Sequence, residues 1–552
     1  MRGLMQDFPL TLPHLFERAE RLFADKEVVT VTATGRDRIT YGVWAERTRR
    51  LGGVLEALGV SADGRVGTFA WNTARHLELY LAAPCTGRVL HTLNIRLSPE
   101  QLVYVINHAE DEVVFVDRSL GRLLYPHVAQ LTTVKHLVVM DDGTGDAPPL
   151  DRGPEVHDYE ALLGAASPAD FHVEDEQRAA SMCYTSGTTG HPKGVVYTHR
   201  SSVLHTLGVM AAGSLAIQEA DRVLPVVPMF HANAWGLAHA AVATGASLVM
   251  PGPDLSPGAV ADLIASERVT VAAGVPTIWM GVLPQLAGRD TSSLRSIVCG
   301  GSAVPRGLSE AYRASTGLPI LQAWGMTETS PLGSVCHIKS TLDAGLDEDG
   351  RADLRTSIGQ PVAGVEARIT RTDAADPGEP LPWDGVTPGE LQVRGPWIAA
   401  GYHDDPRSPE SFTVDGWLET GDIATIDPHG YIRLVDRAKD VIKSGGEWIS
   451  SVELENELMA HPDVVEAAVV GRTDPDWGER PVACVVLHAT APPTPDTKLD
   501  LLAFLEGRVP RWWLPDDIVF LDQIPKTSVG KFSKKDLRRQ LALSRAEAQG
   551  PA

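Results

Sequence analysis

Tyr184-Thr-Ser-Gly-Thr-Thr-Gly-His-Pro-Lys-Gly194 carries four aliphatic hydroxyls (Thr185, Ser186, Thr188 and Thr189), three glycines and a single lysine in eleven residues. Glycines let the backbone wrap closely and turn N–H groups inward, hydroxyls add donors, and Lys193 supplies a point charge. Together they suit a polyphosphate. The spacing GxxxxGK[ST] is absent, so a P-loop NTPase fold is not indicated. The plainer alternative is a polar loop with no ligand.

On both sides of this stretch, short β-branched runs alternate with helix-length segments. Val66–Trp71, Glu112–Val116, His136–Met140 and Arg295–Cys299 read as strands, and Leu77–Leu81 begins a helix. Such alternation predicts an α/β fold, with mixed or parallel sheets covered on both faces. Asp141–Pro154 and Thr372–Pro388 are linker-like, and Gly389–Gly395 after the second reads as antiparallel β. From about Lys443 the pattern changes. Ser451–Met459 and Leu499–Glu506 are helical, Val464–Val470 and Val482–Leu487 are strands, and a small α+β domain is expected at the C-terminus. No repeat of solenoid period is visible.

The chain has 552 residues, enough for several domains or one large body with an appendage. Its formal charge of −22 comes without a compensating basic run, which argues against nucleic-acid binding. Five cysteines, Cys85, Cys183, Cys299, Cys336 and Cys484, show no CxxC spacing and read as reduced thiols of a cytoplasmic protein. Met1–Pro9 has no apolar segment of the kind that directs secretion. Val223–Met250 lacks charge and is long enough to span a bilayer. Prolines, glycines and histidines interrupt it, so a buried strand–loop–helix is expected and no integral membrane contact.

The opening stretch resembles the phosphate-binding signature of the adenylate-forming superfamily, which includes acyl-CoA synthetases, luciferases and peptide-synthetase adenylation domains. Further motifs resemble the family's in the same order. Gly300-Gly-Ser-Ala303 resembles the adenine-binding turn, and Trp324-Gly-Met-Thr-Glu-Thr329 the aromatic-G-x-T-E core. Leu418-Glu-Thr-Gly-Asp422 resembles the ribose motif, Asp436–Ser450 the hinge and following loop, and Pro525-Lys-Thr-Ser-Val-Gly-Lys531 the catalytic-lysine motif. Pro228-Met-Phe-His-Ala-Asn-Ala-Trp-Gly236 and Lys443-Ser-Gly-Gly-Glu-Trp-Ile-Ser450 most resemble bacterial fatty-acyl-CoA and methylmercaptopropionyl-CoA ligases.

The resemblance implies an N-terminal domain over residues 1–436, built of mixed sheets covered by helices plus a small antiparallel β subdomain. A hinge at 437–442 and a mobile α+β domain at 443–552 would follow. It implies that Thr185, Ser186, Gly187, Thr188, Thr189, Gly190 and Lys193 cradle the phosphates of ATP. Gly301, Ser302, Ala303, Ala323, Trp324, Gly325, Met326 and Thr327 would hold adenine and α-phosphate, and Asp422 with Arg437 the ribose. Glu328 would hold Mg²⁺, which takes few protein carboxylates when phosphate oxygens are present, and an aromatic face such as Trp324 accepts a purine. Lys439 would be the pivot, and Lys443, Gly445, Gly446 and Trp448 would form the pantetheine path, where glycine leaves a wall of bare backbone. His231, Trp235, Val275, Gly301 and Met326 would line the acyl site, extended by Met229, Phe230, Ala234 and Ala323. Lys531, Thr185, Glu328 and His231 are the catalytic candidates. The neighbouring Lys534, Lys535, Arg538 and Arg539 read as a solvated helix face or as contacts to CoA phosphates.

His231 stands where amino-acid adenylation domains place an aspartate, so an amino acid's ammonium would lie unpaired there. The expected activity is an ATP- and Mg²⁺-dependent ligation of a medium- or long-chain fatty acid to CoA, releasing AMP and pyrophosphate. Methylmercaptopropionate or an aromatic acid, a carrier-protein acceptor, and nitrite activation for diazotisation of an arylamine are alternatives with the same first step. A hydrolase lacks support, since no GxSxG surrounds Ser186, Ser302 or Ser444. The expected partners are small molecules (acid, ATP, CoA), with a homodimer as a further expectation.

Overall fold

A strand covered on both faces has no polar side to show, which is why the runs found in the sequence are continuous rather than alternating. In the computed structural model, which describes residues 1, 3–145, 153–185, 191–371, 378–445, 447–526 and 532–549, those runs form two large sheets. The first has seven strands, in the order Glu155–Asp158, His136–Met140, Asp111–Asp117, Arg65–Phe69, Val89–Thr92, Ala179–Tyr184 and Gly194–Thr198. Every neighbouring pair is parallel except the last, where Gly194–Thr198 returns antiparallel to Ala179–Tyr184. In Asp111–Asp117, Val113 and Phe115 join one core cluster while Val114 and Val116 join another on the opposite face.

The second sheet has nine strands. Glu27–Thr32, Ser247–Met250, Arg222–Pro225, Val271–Gly274, Ser296–Cys299 and Leu321–Gly325 run parallel, with Gly35–Thr40 added antiparallel at one edge and Leu332–Val335 and Gln360–Pro361 at the other. The uncharged segment Val223–Met250 supplies two of these strands and the helix Leu237–Thr244, every residue of which is buried. That helix packs against helices Leu12–Leu22 and His199–Met210. Enclosure by other protein explains its lack of charge. Among the described residues no helix is long and apolar enough to cross a membrane.

Two smaller sheets follow. Glu366–Thr370, Gly389–Arg394, Leu418–Ile426 and Ile432–Arg437 form an antiparallel sheet. The last sheet contains Ile442–Ser444, Glu447–Ile449, Val464–Asp474 and Gly478–Leu487, with Asp517–Phe520 parallel to Gly478–Leu487. Its central hairpin reaches four residues further on each strand than the apolar pattern predicts. The extension, Gly471–Asp474 against Gly478–Pro481, is mostly polar, so hydrophobic spacing does not reveal it. Asp474 holds the turn by accepting the backbone N–H groups of Asp476 and Trp477 at 3.0 and 2.9 Å.

Candidate functional site

Strands Ala179–Tyr184 and Gly194–Thr198 end together, and the glycine-rich stretch joins them. Its neck is closed by a reciprocal pair: the Thr185 N–H donates to the Lys193 carbonyl at 2.9 Å, and the Lys193 N–H donates to Thr185 Oγ1 at 3.1 Å. This fixes both ends of the loop while Lys193 Nζ reaches over the Tyr402 ring, 4.4 Å from its centroid. Ser186, Gly187, Thr188, Thr189 and Gly190 lie outside the described residues, as do Gly446 and Lys531.

Thr185 and Lys193 stand at one part of a cleft of about 1120 Å³. The ends of several strands supply its walls, as expected where parallel sheets meet a ligand. Gly301, Ser302, Ala303, Ala323, Trp324, Gly325, Met326, Thr327, Glu328, Asp422, Arg437 and Lys439 all line it, and so do His231 and Trp235. Val275 does not; it precedes helix Pro276–Val282, from which Pro276, Thr277 and Met280 face the cleft instead. Met229, Phe230 and Ala234 are packed in the core behind it.

Asp422 is the best-held group. It is 4% exposed; Oδ2 accepts the Trp324 indole N–H at 3.0 Å, and Oδ1 pairs with Arg437 Nε at 2.8 Å. Each oxygen retains a lone pair for another donor. Trp324 lies directly over Gly333, where an added Cβ would come 2.5 Å from its ring.

Glu328 is 5% exposed, and its Oε1 accepts the Tyr402 hydroxyl at 2.7 Å. Its backbone carbonyl accepts the Ala399 N–H at 2.8 Å, and the Thr327 carbonyl accepts the Tyr197 hydroxyl at 2.7 Å. Burial, reinforced by the Glu328 charge, holds the Tyr402 phenol above its ordinary pKa, so it stays a donor. No described residue bonds the second Glu328 oxygen. Tyr402 was not legible in the sequence: a lone tyrosine between glycine and histidine carries no spacing signal.

Trp235 is placed by an unusual backbone. Ala232, Asn233, Ala234 and Trp235 have φ of 41°, 51°, 50° and 57°, a run of left-handed non-glycine residues that costs about 1–3 kcal/mol at each. Asn233 holds it in place, donating to Ser181 Oγ at 2.9 Å and accepting the Cys183 thiol at 3.2 Å. The Trp235 ring then lies against Gly300, where a Cβ would be 3.4 Å from the indole and 2.6 Å from the Ala323 carbonyl. The Ala323 carbonyl is what requires glycine at 300; the indole alone would leave room for a Cβ.

From the last sheet and its helices, Phe532, Ser533, Lys534, Lys535 and Arg538 also line the cleft. Lys534 is not part of a solvated helix face. Its ammonium lies 3.0 Å from Glu455 and 3.6 Å from Asp436, and it donates to Ser451. Burial opposes its charge, yet Glu455 and Asp436 together raise its pKa. Arg538 pairs with Asp440 at 2.7 Å. Burial and the nearby cations Arg437, Arg538 and Lys535 lower the Lys439 pKa, against the opposing charge of Asp440. Lys443, Gly445 and Trp448 do not line the cleft. Lys443 and Trp448 face each other across the hairpin Ile442–Ser444/Glu447–Ile449, and Gly445, at φ 61°, packs on Trp477.

Comparison of the whole chain with known proteins gives its family. The chain belongs to the AMP-binding enzyme family, which matches residues 16–403, and the AMP-binding enzyme C-terminal domain matches residues 453–531. A 3-methylmercaptopropionyl-CoA ligase of Ruegeria lacuscaerulensis is 44% identical over 98% of both chains. A long-chain-fatty-acid–CoA ligase of Thermus thermophilus is 46% identical over 97% of this chain and 96% of its own. Among solved structures, the anthranilate CoA ligase AuaEII in complex with anthranoyl-AMP superposes with a TM-score of 0.86 at 25% identity, covering 98% of this chain and 100% of that one.

Proposed function

We propose that the protein is an AMP-forming acid–CoA ligase acting on an aliphatic carboxylic acid. The observation that carries this is the single cleft in which Trp324, Asp422 and Arg437, the Glu328–Tyr402 pair, the Thr185–Lys193 neck and Trp235 all converge. Full-length similarity to two acid–CoA ligases supports the class. In the first half-reaction a substrate carboxylate oxygen attacks the α-phosphorus of ATP, an acyl–phosphate bond forms, and pyrophosphate leaves. In the second, the CoA thiolate attacks the acyl carbonyl and AMP leaves.

Trp324 covers the adenine, Asp422 accepts from the ribose hydroxyls, and Lys193 with Thr185 and Thr327 takes the phosphates. Mg²⁺ suits this site because Glu328 is buried, acceptor-rich and already oriented by Tyr402. Bound there, it would offset charge on the phosphate oxygens. Lys531 supplies the cation that stabilises the pentacovalent centre electrostatically. The adjoining residues Phe532 to Lys535 already lie at the cleft while Lys443, Gly445 and Trp448 do not, which supports an arrangement set for adenylation. Thioester formation then requires the C-terminal domain, residues 443–552, to turn about 437–442 and bring Gly445 and Gly446 to the cleft. Five buried, free thiols support a cytoplasmic setting.

The Trp235, Pro276, Met280 and Met326 lining carries no charge, so each buried methylene of a substrate contributes about 0.8 kcal/mol. We take a medium- to long-chain acid as the substrate on this ground. The test is pyrophosphate release across straight-chain acids of increasing length, with and without CoA. Turnover that needs CoA and rises with chain length is expected. Turnover only with nitrite and an arylamine would replace the ligase reading, and a sharp maximum at two or three carbons would replace the fatty acid.

A further inference from the structure

Outside the cleft, three possible ligand atoms converge at the far edge of the seven-stranded sheet. His136 opens one strand, and Glu155 and His157 lie on the parallel edge strand beside it. Residues i and i+2 of a strand share a face, and the register sets His136 directly beside Glu155. All three side chains therefore rise from the same face, the one on which Val138 and Met140 enter the main core. The imidazoles are 17% and 14% exposed, whereas Glu155 is 71% exposed.

His136 Nδ1 is 3.1 Å from His157 Nε2, and Glu155 Oε2 is 3.8 Å from the first and 3.9 Å from the second. A point equidistant from the three atoms lies ~2.1 Å from each, which is the zinc–imidazole and zinc–carboxylate bond length. One N–H···N bond between the rings would account for the shorter distance, but it leaves the carboxylate beyond hydrogen-bonding range.

The other such cluster among the described residues fails this test. His461 Nδ1 accepts the Asp463 N–H at 3.2 Å, so its Nε2 carries the proton and faces Asp500 at 3.3 Å. That histidine has no lone pair left for an ion.

We propose that His136, Glu155 and His157 bind a single borderline divalent cation of the zinc type, with water completing its coordination, and that the ion ties the edge strand to its neighbour. Magnesium, which demands oxygen ligands, does not compete for two imidazoles. No residue of this cluster lines the catalytic cleft.

The experiment is zinc titration of the chelator-stripped full-length protein against a chromogenic chelator, with thermal melting in parallel. The wild type takes up one equivalent in the presence of excess Mg²⁺, and its Tm rises with zinc. His136→Ala and His157→Ala each lose ~10-fold or more in affinity, together with the Tm rise. Glu155→Gln, at an exposed position that does not endanger folding, weakens binding as well, and His461→Ala leaves it intact. Ligation rates without zinc are unchanged in all four variants, which confirms that they are folded. Failure of the wild type to bind one equivalent, or equal binding by the wild type and the His136, Glu155 and His157 variants, overturns the proposal.

Discussion

Trp324 Nε1 donates to Asp422 Oδ2 across 3.0 Å, joining a strand of the nine-stranded sheet to one of the four-stranded sheet, 98 residues apart in the chain. With Arg437 on the other oxygen, the carboxylate is oriented before any nucleotide arrives. Preorganisation of this kind lowers the ordering cost that binding must meet.

Trp324→Phe keeps an aromatic face but removes the donor. A hydrogen bond to a charged group is worth about 1.5–3 kcal/mol, so KM for ATP should rise ~10–100-fold with a smaller change in kcat. Asp422→Ala should be worse, because it removes the acceptor itself and leaves Arg437, among the described residues, with only the Thr420 carbonyl. An unchanged KM in Trp324→Phe would show that the bond does not position Asp422.

Glu328→Gln should lower kcat/KM by ~10²–10³-fold, the loss typical of one electrostatic group acting on developing charge, and should displace the Mg²⁺ titration to higher concentration. Tyr402→Phe leaves the carboxylate in place and should shift the same titration by about tenfold. If Tyr402→Phe alone matched Glu328→Gln, the phenol itself would be contacting the reacting atoms.

Lys531→Ala should slow adenylate formation by ~10²–10³-fold and spare thioester formation from supplied acyl-adenylate. Lys534→Ala should behave differently. It strands the buried Glu455 and Asp436, a defect that costs about 3–5 kcal/mol, so its first sign should be a lowered Tm. Equal loss of both half-reactions in Lys531→Ala would rule out domain alternation.

Trp235→Ala should open the acyl end of the cleft and flatten kcat/KM across straight-chain acids without abolishing adenylation of the preferred one. The comparison is the ratio of the longest to the shortest acid in the two proteins. An unaltered ratio would show that the indole does not select by length.

Burial lowers four histidines furthest: His76, His199 and His239 to about 4 and His205 to about 3. In the unfolded chain each takes up a proton near pH 6.5, as a free imidazole does. The unfolded state therefore binds more protons between about pH 6.5 and 4, and stability falls as pH drops through that window. Asp117, raised by burial to about 7, acts in the opposite direction, losing its contribution as pH rises from about 4 to 7. Glu78, Asp111, Glu390, Glu453 and Glu455, also raised by burial, act with Asp117; the four imidazoles, shifted furthest, set the direction, so Tm should decline from pH 7 to pH 4.5. A level profile would mean that the folded protein protonates these imidazoles.

Local chemistry determined much of this protein directly. The runs Glu112–Val116 and Arg295–Cys299 read as strands and correspond to the strands Asp111–Asp117 and Ser296–Cys299, and the helix Ser451–Met459 has the bounds that its pattern predicts. The order of short motifs marked out Trp324, Glu328, Asp422 and Arg437, all of which the fold brings to one cleft. Tertiary structure alone decided the order of strands within each sheet, the Tyr402–Glu328 bond across 74 residues, and the burial of Lys534 between Asp436 and Glu455. The division has a physical cause. Propensity and periodicity act between residues a few positions apart, whereas a side chain's partners are set by which distant strand ends the packed sheets bring together.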